Sequence, residues 1–261
     1  MEFKNTAYIL MGGTTGLGLS AALALQEKGA KILAIGRNKE NCEKAKSLFN
    51  KESLVVNGDA TDPETIKKAI KTAKKEFGEI TGLYHIAGGS GRRFGDGPLD
   101  EMSLEGWNKT MELNLTSMMI SNKAIINYFL EQNRSGVILN MGSVLGYSPS
   151  PAYFVTHAYA AAKAAIIGFS KSIAAYYAFN NIRINVIAPG LFSTPMAKRA
   201  VQDDLIRSFL TTKQPLDGGR PGYPEDMNSA VLMFLSPQSK FITGQVLAVD
   251  GGWSISEGQY H

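Results

Sequence analysis

The most constraining feature of this chain lies near its start. A short apolar run, Ala7–Met11, ends in Gly12-Gly13-Thr14-Thr15-Gly16-Leu17-Gly18, and a helical pattern, Leu19–Lys28, follows and is closed by Gly29. Continuous rather than alternating apolar residues suit a strand buried on both faces, as in a parallel sheet. Glycines between such a strand and a helix let the backbone turn sharply and let a phosphate approach closely. The free N–H groups of the helix start then hold a pyrophosphate. The spacing, with glycine at 12, 16 and 18, differs from the usual Gly-x-Gly-x-x-Gly dinucleotide fingerprint.

The same alternation continues along the chain. Strands are predicted at Lys31–Ile35, Leu54–Asn57, Gly82–Ile86, Gly136–Met141, Ile182–Ala188 and Gln245–Asp250. Helices are predicted over Glu40–Asn50, from Asp62-Pro63 to about Phe77, over Trp107–Gln132, Ala158–Asn180 and Glu225–Leu235. Strand alternating with helix suits an α/β fold with a parallel sheet. The second strand ends in Gly36-Arg37-Asn38, about 20 residues past the glycine turn, where an acid would hold ribose hydroxyls and an arginine accommodates a 2′-phosphate. No acid stands there, so Arg37 favours NADP over NAD, with NAD still possible. Asp59 and Ala60 follow the third strand, where a side chain meets an adenine edge. Ala87-Gly88 follow the fourth, where small residues allow a cofactor to come close.

Tyr159 and Lys163 stand four apart in an alanine-rich run and so share one helix face. A free phenol titrates near ~10, and a neighbouring cation lowers that value. A tyrosine so tuned can give a proton to a carbonyl oxygen or take one from an alcohol. Ser143, at the carboxyl end of the fifth strand, is placed to bond a substrate oxygen or to serve its turn. Asn114 sits among apolar neighbours, and either bonds backbone and bends its helix or holds a water near the site. The loop Ser90–Pro98 is too glycine-rich for a regular element. Its Arg92 and Arg93 suit an anionic substrate group, a flexible surface loop or a subunit contact.

Composition narrows the rest. The 261 residues are 44% hydrophobic and 19% charged, as in ordinary globular proteins. The net charge of +4 is spread in short clusters without a long basic run, so no nucleic-acid partner is expected. One cysteine, Cys42, excludes an intrachain disulfide and a Cys-rich zinc site, and no metal is expected. No secretory h-region and no long apolar span appear, so a cytoplasmic protein without a membrane segment is expected.

Gly12-x-x-x-Gly16-x-Gly18, Asp59, Ala87-Gly88, Asn114, Ser143, Tyr159-x-x-x-Lys163, Pro189-Gly190 and Val249-Asp250-Gly251-Gly252, in this order, resemble the short-chain dehydrogenase/reductase family over nearly the whole chain. The resemblance implies one Rossmann-type domain, a doubly wound α/β fold with a seven-stranded parallel sheet and helices on both faces, and ketone–alcohol interconversion with NADP or NAD. It implies Tyr159 as general acid/base, Lys163 lowering its pKa and holding the nicotinamide ribose, Ser143 on the substrate oxygen, and Asn114 on a proton-relaying water. It also implies cofactor contacts at Thr14, Thr15, Leu17, Asn38, Pro189, Gly190, Phe192 and Thr194. The branches it is similar to, β-hydroxyacyl and sugar reductases, are often tetrameric, so a homotetramer or homodimer is expected. A substrate lid is expected over about 191–220, and substrate contacts at Arg92, Tyr153, Phe154, His157 and Met196. His85-Ile86 stand where the family usually has Asn-Asn, and extra residues separate Ser143 from Tyr159. The polar tail from Trp253 to His261 is expected to reach a neighbouring subunit. The alternative of another class is a catalytically idle dinucleotide-binding sensor or scaffold, against which the intact Tyr159 and Lys163 stand.

Overall fold

The structure is a computed structural model and describes residues 2–258; of the tail expectation, 259–261 lie outside it. Strand β1 (Ala7–Met11) leads through the glycine turn into helix α1 (Gly16–Glu27) and strand β2 (Lys31–Gly36). Helix α2 (Lys39–Leu48), strand β3 (Leu54–Asn57), helix α3 (Pro63–Phe77) and strand β4 (Gly82–His85) follow. Asn38 caps α2 by accepting from Asn41 N, and Asp62 caps α3 by accepting from Glu64 N, with Pro63 at the first helical position.

The middle of the chain holds helices α4 (Leu104–Met111) and α5 (Ser117–Glu131), joined by a π turn at Glu112–Thr116, and strand β5 (Gly136–Met141). The single helix expected from Trp107 is therefore longer at its start and interrupted. Ser103 begins it by accepting from Gly106 N, a cap signal that the apolar periodicity does not show. Helix α6 (His157–Tyr177) and strand β6 (Ile182–Pro189) come next. Within the expected lid, 191–220, the chain forms two short helices, α7 (Lys198–Gln202) and α8 (Asp204–Lys213). Asp203 divides them because it caps α8, accepting from Leu205 N and Ile206 N. Helix α9 (Asn228–Leu235) and strand β7 (Val246–Val249) complete the order.

The seven strands are parallel and lie in the order β3-β2-β1-β4-β5-β6-β7. Alternate residues of each strand feed opposite cores. Tyr8, Leu10, Ile32, Ala34, Val137 and Leu139 pack with Leu25, Val231 and Phe234 on one face. Ile9, Met11, Leu33, Ile35 and Ile138 pack with Ile66, Ile125, Phe129 and Ala174 on the other. Each such large side chain, fully buried, contributes about 1.5–3 kcal/mol. The chain reverses its direction of winding between β1 and β4, and such a switch point opens a crevice at the carboxyl ends of the strands. Among the described residues no helix is long and apolar enough to cross a membrane.

Candidate active site

Two adjoining cavities occupy that end of the sheet. The larger is a groove of about 600 Å³, lined by Gly12, Thr14, Thr15, Arg37, Asn38, Asp59, Ala60, Ala87 and Gly88. Its floor is backbone by necessity. Gly12 has φ +94, and a Cβ there would lie 2.7 Å from Ala87 N. A Cβ at Gly18 would lie 2.0 Å from Gly12 O, so that glycine serves the packing of α1 against the turn. A backbone floor at the start of a helix, walled by Thr14 and Thr15, fits a dinucleotide pyrophosphate. At the far end Arg37 reaches Asp59 at 3.7 Å, and both side chains remain substantially exposed. Asp59 also accepts from Thr61 N and Thr61 Oγ1, which with Arg37 holds its carboxyl below the usual range against the effect of burial.

The smaller cavity, about 170 Å³, is mostly apolar. Leu17, Pro189, Gly190, Phe192 and Thr194, all expected at the cofactor, line it together with Ser143, Tyr159, Phe154 and Met196. Ser90, Arg92 and Met196 line both cavities, so the two meet there.

Tyr159 is partly buried and Lys163 almost wholly so. Lys163 Nζ lies 5.4 Å from the Tyr159 ring centroid and donates to Met141 O at 2.8 Å. The expected lowering of the phenol pKa by Lys163 is not what this geometry gives. Burial pushes Tyr159 up to about 12, opposed by the Ser143 side chain. Burial likewise pushes Lys163 down to about 7. Desolvation disfavours the charged form of each, and an ammonium that faces the ring and bonds a carbonyl does little for the phenol oxygen.

Asn114 adopts the first of its two readings. It sits in the π turn, fully buried, donating to Thr110 O and Gly89 O at 2.8 and 2.9 Å and accepting from Gly89 N. A Cβ at Gly88 would lie 2.6 Å from Asn114 Oδ1 and 3.7 Å from Lys163 Nζ, so the glycine leaves the room through which these side chains approach.

His85 replaces the expected asparagine with a different network. Its ring nitrogens meet Ser121 Oγ at 2.7 Å and Ala87 O at 3.1 Å. Burial, with Lys163 nearby, pushes its pKa down to about 3.

Two expected substrate residues lie elsewhere. His157 is exposed at the start of α6 and faces neither cavity. Tyr153 packs on Phe209 with ring centroids 4.9 Å apart. Sequence reasoning also missed two residues. Trp253, read as the start of a polar tail, is 1% exposed, lines the pocket and packs edge-on against Phe154 and Phe209. Its place in the sequence, after the last strand and among polar neighbours, concealed this. Asp96, in the glycine-rich loop, is 4% exposed and accepts from Ala158 N and Tyr159 N at 3.0 and 3.1 Å. The loop is thus pinned: a Cβ at Gly91 would lie 1.7 Å from Thr110 Oγ1, and one at Gly106 2.5 Å from Gly95 C.

Residues 12–254 match a family model described as enoyl-(acyl carrier protein) reductase. The chain is 33% identical over 258 residues to 2-(S)-hydroxypropyl-CoM dehydrogenase 3 of Xanthobacter autotrophicus, covering 96% of this chain and 97% of that protein. It is 32% identical over 252 residues to the 3-oxoacyl-[acyl-carrier-protein] reductase FabG of Vibrio cholerae, covering 97% and 98%. Among solved structures, a short-chain type dehydrogenase/reductase from Mycobacterium ulcerans superposes with a TM-score of 0.88 at 25% identity, covering 98% of this chain and 92% of that one. Likeness of sequence and fold along nearly its whole length shows that the chain belongs to the short-chain dehydrogenase/reductase family, in its 3-oxoacyl-carrier-protein reductase-like branch, whose members interconvert alcohols and carbonyls with a nicotinamide dinucleotide.

Proposed function

We propose that this chain reduces a small ketone to a secondary alcohol, or runs the reverse reaction, with Tyr159 as the group that moves the proton. The observation that carries this reading is the meeting of the two cavities at Ser90, Arg92 and Met196: a groove with a backbone floor opens onto an apolar pocket whose polar wall groups include the Tyr159 and Ser143 hydroxyls. The nicotinamide cofactor supplies or accepts the hydride. Gly12, Thr14, Thr15, Gly16 and Thr194 receive its pyrophosphate side, and Pro189, Gly190 and Phe192 flank the nicotinamide side. A phenol pushed up to about 12 is protonated at neutral pH, the state a donor to a carbonyl oxygen needs. Ser143 holds that oxygen. Lys163 Nζ, over the ring, ties α6 to Met141 O at the end of β5, and Asn114 fixes the Gly88-Gly89 backbone beside it.

The reading prefers NADP. Arg37 lies at the groove's far end with Asn38, and no acid stands at the end of β2 to repel a 2′-phosphate. Residues 191–220, with Met196 at the junction of the cavities, form the substrate lid, and a second copy of the chain is the expected partner. Titration with NADPH and NADH, followed by nicotinamide fluorescence, tests the preference. Tighter NADPH binding that weakens about tenfold or more in Arg37→Ala, with NADH little changed, is expected. Equal or tighter NADH binding by the wild type would contradict the role of Arg37.

A further inference from the structure

The rim of the apolar pocket carries two guanidinium groups and no acid. Arg92 comes from a short 3-10 turn, Arg92–Phe94, and Arg199 from α7, and both line the pocket. They feel each other: burial, then the charge of Arg199, holds Arg92 below its ordinary value. Among the described residues neither makes a salt bridge. Arg92 makes one long contact to a neutral group, Nη2 donating to Tyr153 O at 3.4 Å. The buried acid of its own loop, Asp96, has both oxygens taken by the start of α6. Two like charges held together repel; the Asp96 charge offsets this for Arg92 only in part, since burial and Arg199 still hold it low, and an oxyanion between the pair removes the remaining cost while matching the planar donor fork of each guanidinium.

Inward from this rim the walls are apolar, with Val144, Leu145, Phe154, Leu191 and Trp253 around the Ser143 and Tyr159 hydroxyls. The volume of about 170 Å³ is small beside the ~300–1,000 Å³ of pockets for drug-sized ligands. We propose that Arg92 and Arg199 form an anion subsite, so that the substrate is a small carbonyl compound bearing a carboxylate or like oxyanion at the end away from the reacting carbon. The proposal rests on Tyr159 and Ser143 marking the reaction centre. Because Arg92 also borders the groove, its test must separate a substrate anion from a cofactor phosphate.

The test uses acetoacetate, levulinate and 5-oxohexanoate, each beside its methyl ester, with NADPH, on wild type, Arg92→Ala, Arg199→Ala and Arg199→Lys. Levulinate binding is measured separately by isothermal titration calorimetry in saturating NADP. Both arginines are exposed, so their removal leaves the core intact. The wild type should favour at least one acid over its ester in kcat/KM. That ratio should fall roughly tenfold or more in each alanine variant, and less in Arg199→Lys. Arginine-dependent levulinate binding without turnover of any compound would keep the anion subsite and count against the reductase reading. An ester preference in the wild type, or an acid-to-ester ratio that the alanine variants leave alone, would overturn the proposal. So would weakened NADPH binding with levulinate binding intact, which would assign Arg92 to the cofactor, and so would an absence of both turnover and levulinate binding.

Discussion

At the residue scale the site is ruled by desolvation. Lys163 and His85 are both buried, and each pays for burial in its charged form. The consequence for His85 can be measured. Its folded pKa of about 3 lies below the ordinary 6.5, so the unfolded chain binds the extra proton first as pH falls. Stability is therefore fully present above pH ~6.5 and is lost as pH falls towards ~3, at about 1.4 kcal/mol per pH unit. Chemical denaturation between pH 7 and 4 should show this slope in the wild type, and His85→Asn should flatten it. An unchanged slope in the variant would mean that other groups carry the acid sensitivity. The sequence places His85 correctly as a departure from the family pattern, but cannot show that Ser121 and Ala87 O replace the missing amide.

At the scale of elements, the start of α6 is the critical joint. Thr156 precedes it without a capping side-chain bond, and Asp96 supplies the cap from more than sixty residues away in sequence. An acid at this end also meets the positive end of the helix dipole. Asp96→Ala should cost about 0.5–2 kcal/mol as a lost cap. It should also free the Tyr159 amide, lowering kcat more than it raises KM, with Asp96→Asn in between. A melting temperature and kcat equal to the wild type would show that Asp96 neither holds the helix nor places the tyrosine. The strands, the cap at Asp62 and the helix carrying Tyr159 were legible because their signals are local. The Asp96 cap, the π turn at Asn114 and the burial of Trp253 depend on contacts between distant segments. Neither periodicity nor spacing encodes those directly.

At the scale of the whole molecule, the parallel order of the strands brings the ends of β1, β4, β5 and β6 to one edge, and the two cavities meet there. The fold and the meeting of Gly12, Ser143 and Tyr159 at this edge follow from the order of motifs along the chain. The rim arginines do not, because Arg92 and Arg199 come together only once α7 has folded over the pocket. Whether Tyr159 moves the proton is read from the turnover and NADPH binding of Tyr159→Phe, with the best carbonyl compound found for the wild type. Removing a general acid should lower kcat by ~10²–10⁴-fold, with the NADPH dissociation constant within about threefold of the wild type. Turnover within a few-fold of the wild type would mean that another group moves the proton.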